Sequence, residues 1–127
     1  MSESLGQLQL QVMEVLWRLG SGTVADVHEI LSRKRKIAYT TVLTTLRALE
    51  RREAVRHDQS GKAYVYEPTV TRDDHADSSV DRLVNNLFDG RREKLLCHLL
   101  GTKRVGRREL AEIRRMLART KDREDKP

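Results

Sequence analysis

The chain has 127 residues, 35% of them charged and 38% apolar, and an excess of Lys and Arg that sets the net charge at +6. That length suits one ordinary domain, or a very small domain with a helical appendage, and the modest apolar content leaves part of its core to be buried by a second copy. With Cys97 as the only cysteine, an internal disulfide and a cysteine-based zinc cluster are excluded. No run approaches the roughly 20 apolar residues that cross a bilayer, and "MSESLGQLQLQ" lacks a basic region ahead of an apolar stretch, so the expectation is a cytoplasmic protein without membrane insertion. The basic balance favours a polyanionic partner without choosing between nucleic acid and anionic lipid.

In chain order, "LQLQVMEVLWRLG" carries Leu8, Val12, Val15, Leu16 and Leu19 at helical spacing, with Gly20 placed to end the helix. Thr23 is the expected N-cap of a second helix, and Asp26 three residues on completes a capping box. Val24, Val27, Ile30 and Leu31 form the buried stripe of that helix, which runs out into the basic "RKRK" at 33–36. A third helix, "IAYTTVLTTLRALERRE" at 37–53, follows after a short turn, which makes a helix-turn-helix unit. Beyond Glu53 the pattern alternates. "AVRHDQSGKAYVYEP" reads as a β-hairpin with two short runs around Ser60 and Gly61, closed by Pro68. Three helices and a hairpin in that order give a mainly α winged helix-turn-helix domain over residues 1–70.

From residue 71 to about 120 the sequence is helical and heavily charged. Val80, Leu83, Val84, Leu87 and Phe88 form one apolar stripe, Leu95, Leu96, Leu99 and Leu100 a second, and Leu110, Ile113 and Leu117 a third, punctuated by Gly90, Gly101 and Gly106. Short amphipathic helices cannot bury such stripes alone, so this C-terminal region is expected to dimerise the chain. The last residues, 121–127, read as a frayed tail.

The third helix carries the sharpest signal. Thr40, Thr41, Thr44 and Thr45 each reduce helix propensity by about 0.5 kcal/mol relative to alanine. At about 100° per residue, Val42, Leu46 and Leu49 share one side, while Thr40, Thr44, Arg47 and Arg51 fall opposite, flanked by Thr41 and Leu43. Short hydroxyl side chains let a helix approach a major groove closely, and the two arginines reach further, to a phosphate or a guanine edge. An ordinary solvated face is the competing reading; the preceding helix, the hairpin and the basic flanks weigh against it. Lys62 at the hairpin tip and Arg56 at its base fit a wing lying on the phosphate backbone, though basic turns are common. "RKRK" either adds phosphate contacts or simply stabilises a helix C-terminus.

Asp73, Asp77 and Asp81 with His75 nearby picture a metal site, but acids at a helix N-terminus explain them better. Cys97 lies in a leucine-rich stretch, where a thiol packs as a small apolar filler. Trp17 and the three tyrosines read as core and hairpin residues. No pairing of nucleophile and base, no glycine-rich phosphate loop and no metal-ligand spacing occurs, so neither an enzyme nor a cofactor is expected. The competing functional classes are a protein-interaction adaptor and an RNA-binding winged helix.

These stretches resemble the penicillinase-repressor family of bacterial transcription regulators, the BlaI/MecI/CopY type. "LQVMEVLW" and "GTVADVHEIL" are similar to its first two helices, "AYTTVLTTLRALERR" to its recognition helix, "GKAYVYEP" to the second wing strand, and "LVNNLFDG" and "RRELAEIRRML" to its dimerisation helices. The resemblance implies a homodimer that represses resistance or stress genes from a two-fold operator of double-stranded DNA, often with TACA/TGTA-like half-sites. It implies base or phosphate contacts at Thr40, Thr41 and Thr44, and backbone contacts at the wing, Lys62 included. It also implies a membrane sensor protease as a partner, cutting between an Asn and a Phe; here His98 and Leu99 stand at those positions. The cysteine cluster of the copper-responsive branch is beyond a chain with Cys97 alone. Where the family often has glycine before the first wing strand, this chain has Glu53, which predicts a differently formed turn.

Overall fold

The computed structural model describes residues 5–101 and 105–124, with Ser60 and residues 121–124 described in backbone only. The elements run α1 (Gln7–Leu19), α2 (Val24–Ser32), α3 (Tyr39–Arg51), β1 (Val55–Ser60), β2 (Ala63–Pro68), α4 (Arg72–Leu87), α5 (Arg92–Gly101) and α6 (Arg107–Glu124). The expected tail at 121–127 falls partly within α6, and residues 125–127 lie outside the described residues. The chain divides into two compact units between Ser79 and Val80, inside α4.

Each boundary in the first unit has a local cause. Gly20, at φ 85°, closes α1 by returning its N–H to the Leu16 carbonyl at 2.7 Å. Thr23 and Asp26 form the capping box of α2 in both directions: the Asp26 N–H donates to Thr23 Oγ1 at 3.1 Å, and the Thr23 N–H to Asp26 Oδ2 at 3.0 Å. The hairpin turns at Gly61 and Lys62, with Ser60 paired to Ala63; Gly61 takes φ 63° at the position a type II′ turn reserves for glycine. Gly22 adds a two-way backbone bridge to Tyr66, so the link between α1 and α2 lies along β2 like a third strand.

One core serves this unit. Val12, Met13 and Leu16 of α1 meet Val27 of α2, Val42, Leu46 and Leu49 of α3, and Val55 and Tyr66 of the hairpin. Fully burying a side chain of this size contributes about 1.5–3 kcal/mol. Packing on three elements therefore fixes how α3 sits, and with it the direction its opposite face looks. The winged helix-turn-helix and the mainly α class expected from the sequence are both present.

Ahead of α4, Thr71 accepts from the Asp74 N–H at 3.0 Å, and Asp73 and Asp74 occupy the first turn, where the helix dipole favours acids. His75 packs beside Trp17, with ring centroids 5.7 Å apart, and Asp81 pairs with Arg92. In the second unit Asp89 and Gly90 turn the chain with positive φ, and Val84 is buried beneath that turn, its carbonyl accepting from the Phe88 and Gly90 N–H groups.

Candidate nucleic-acid interface

With Val42, Leu46 and Leu49 held in the core, α3 leaves Thr40, Thr41, Thr44, Arg47 and Arg51 all exposed. Thr45 does not belong with them. It is 9% exposed, on the core side, and its hydroxyl donates to the Thr41 carbonyl at 2.7 Å, which satisfies a polar group that burial would otherwise penalise. Thr44 donates likewise to the Thr40 carbonyl at 2.9 Å, but from the exposed face. No side chain caps the N-terminus of α3, whose N-cap residue is Ala38.

Lys62 is exposed at the wing tip, and it shares a groove of about 390 Å³ with Tyr39 and Leu43 of α3, Tyr64 and Gln59 of the hairpin, and Thr23. The structure thus brings the start of the reading helix and the tip of the wing to one concave surface. Arg56 is placed differently: its guanidinium is paired with Glu67, directly across the hairpin. Of the "RKRK" run, Arg33 reaches Glu29 at 3.4 Å and Arg35 donates to Gln11 at 3.0 Å, and the four side chains are exposed.

Several features differ from the sequence reading. Tyr39 is neither core nor hairpin; it is the first residue of α3, 48% exposed, its ring edge-on to His28 at 5.9 Å. His28 in turn donates from Nε2 to the Ile37 carbonyl at 2.8 Å, which pins the turn that launches α3. Tyr64 stays on the hairpin but is exposed, and Tyr66 alone of the three is core. Burial pushes the Tyr66 phenol above its ordinary range; the Glu50 carboxylate acts in the same direction, and the Arg47 guanidinium against it. Cys97 is exposed, not an apolar filler, because α5 turns it outward beside Phe88, Arg91, Lys94 and His98. Glu53 adopts φ 63°, so the turn before β1 is the left-handed one that glycine would form, made by a residue with a Cβ.

In the second unit Leu83, Leu87, Leu96, Leu99 and Leu117 are exposed, while Phe88, Leu95, Leu110 and Ile113 are half-buried. Val80, Leu100 and Met116 are exposed as well. Contiguous apolar surface on this scale is uncommon on monomeric proteins. Among the described residues, no helix is long and apolar enough to cross a membrane.

The family model described as penicillinase repressor matches residues 5–119. The chain belongs to the penicillinase repressor family. This repressor is 40% identical over 116 residues to the transcriptional regulator BlaI of Mycobacterium tuberculosis, a match that covers 90% of this chain and 83% of that one. Among solved structures it is similar to the DNA-binding domain of the repressor BlaI, with 28% identity and a TM-score of 0.52 over 58% of this chain and 93% of that one. It is also similar to monomeric Bacillus licheniformis BlaI in complex with the blaP half-operator, with 28% identity and a TM-score of 0.50 over 57% of this chain and 88% of that one. The family consists of transcriptional repressors and not of enzymes, and the repressor described here is one of them.

Proposed function

We propose that this DNA-binding transcriptional repressor acts in the cytoplasm as a homodimer on a two-fold operator, controlling resistance or stress genes. α3 enters the major groove, with Thr40, Thr41 and Thr44 against base edges or phosphates and Arg47 and Arg51 reaching further. Lys62 lies on the adjoining backbone. Arg56 reaches a phosphate only by exchanging Glu67 for it. The observation that supports this reading most directly is the exposed row on α3, held outward by a core-locked opposite face, on a helix whose Tyr39 and Leu43 line a groove with Lys62 of the wing. The half-operator bound by the Bacillus licheniformis relative is the ground for choosing duplex DNA over RNA or a protein.

The exposed leucines of α4, α5 and α6 are the proposed dimer surface: Leu83, Leu87, Leu96, Leu99 and Leu117, with Phe88, Leu95, Leu110 and Ile113 beneath. A closed pair makes one face self-complementary and fixes the spacing of two reading helices, hence the dyad. A membrane sensor protease would act at His98 and Leu99, both exposed on α5.

A gel shift with a dyad duplex, a random duplex and single-stranded RNA, titrated with salt, tests the reading. We expect preference for the dyad and a steep fall in affinity with salt, by close to one power of salt concentration per phosphate neutralised. Equal binding to RNA, or none to either duplex, would overturn it. Sedimentation at micromolar concentration should show a dimer, and Leu87→Glu should yield a monomer.

A further inference from the structure

We infer that His57 is a positioning residue for operator binding: it latches the wing to the reading helix, so that the wing tip's grip on a duplex depends on it. The inference rests on the proposed contact of Lys62 with DNA. The hairpin joins α3 through three residues, Arg52 to Ala54, and that short link fixes the start of β1 but not the angle of its far end. Beside the core packing of Val55 and Tyr66 and the Gly22 bridge, His57, in the middle of β1, supplies a side-chain attachment to α3 itself. Its Nδ1 bonds Glu50 Oε2, seven residues back in the last turn of α3. A carboxylate can only accept, so Nδ1 carries the hydrogen.

The ring is held from its faces too. It stacks on Tyr64 of β2, with centroids 4.3 Å apart and planes at 24°, and leans on Tyr66 at 5.6 Å. Tyr66 is 1% exposed and part of the core, whereas Tyr64 is two residues from Lys62 and lines the same groove. One imidazole therefore touches the core, the reading helix and the strand that carries the tip. The His57 and Glu50 side chains are each about one-third exposed, so their bond is partly shielded from water.

The latch accounts for the place of Glu50. An acid in the last turn of a helix opposes the helix dipole, and an acid on a helix bound for a polyanion opposes the phosphates. It lies off the row of Thr40, Thr44, Arg47 and Arg51, and its carboxylate is turned to the wing. The pair has no evident use in reading bases. It serves to orient.

A double-mutant cycle in operator affinity tests this, using the full chain with folding checked by circular dichroism. Lys62→Ala should weaken operator binding about fivefold in the native background and less than about twofold when combined with His57→Ala, because a mispositioned tip has no contact left to lose. Glu50→Ala should abolish the Lys62 effect in the same way, and it carries the test should His57→Ala fail to fold. His57→Gln, which keeps a donor toward Glu50, should restore most of it. Independent losses from Lys62→Ala and both latch variants would overturn the inference while leaving the wing contact intact. A Lys62→Ala variant that binds every duplex as the native chain does would remove the wing contact itself, and the latch with it.

Discussion

The Trp17 indole N–H donates to the Val70 carbonyl across 2.8 Å, tying the last turns of α1 to the segment that enters α4. Arg72 lies 5.4 Å over the same ring and pairs with Glu14 one helical turn away. Trp17→Phe keeps an aromatic face but loses the donor and part of the packed ring, and should lower unfolding stability by at least about 1 kcal/mol in a urea titration followed by circular dichroism. Arg72→Ala should cost no more than about 1 kcal/mol, because its ion pair is exposed.

The threonines of α3 should separate cleanly by face. Thr44→Ala should relax sequence preference at one or two operator positions by about 1 kcal/mol. Thr45→Val removes a core-side hydroxyl that bonds only within its own helix and faces away from the row, and should leave operator affinity within about twofold. Lys62→Ala should weaken operator and random duplex alike. Competition binding with both duplexes reads all three.

How much of this was legible beforehand follows from the range over which each signal acts. The Thr23 and Asp26 box, the Gly20 stop and the buried trio of α3 are local patterns, and each is present as read. Helical spacing gives a direction around an axis, but not how far along it the core extends. Tyr39 points near the core side of α3 yet sits one turn beyond the core's edge, and so is exposed. The partner of Arg56 depends on register. With the turn at Gly61 and Lys62, Arg56 meets Glu67; a turn one residue earlier would have set it against Val65. The latch between His57 and Glu50 joins two elements around a bend, and no periodicity reports such a contact.

Glu53 holds a backbone conformation that costs a residue with a Cβ about 1–2 kcal/mol. Glu53→Gly should therefore raise stability, by about 0.5–1 kcal/mol after the greater freedom of glycine in the unfolded chain is subtracted. The bonds around the turn, Ala54 N–H to Leu49 and Thr69 to the Glu53 carbonyl, run to the backbone and survive the change. A thermal melt should show a higher midpoint for Glu53→Gly and none of that gain for Glu53→Ala.

Tyr66 sets an alkaline limit. Its phenol ionises at higher pH in the folded chain than the ordinary value of 10.0, so the unfolded chain releases that proton first. Its contribution is intact below the ordinary value and is lost as pH rises through the folded one. Urea midpoints should fall above about pH 10, and Tyr66→Phe should flatten that fall.

Thr44 has consequences for which letters the row can address. Its only hydroxyl proton is committed to the Thr40 carbonyl, so what it offers outward is lone pairs. Lone pairs complement the amino hydrogens of adenine N6 and cytosine N4, and they repel the N7 and O6 of guanine. In the proposed complex Thr44 therefore suits an adenine or a cytosine, while Arg47, about one turn on, suits a guanine.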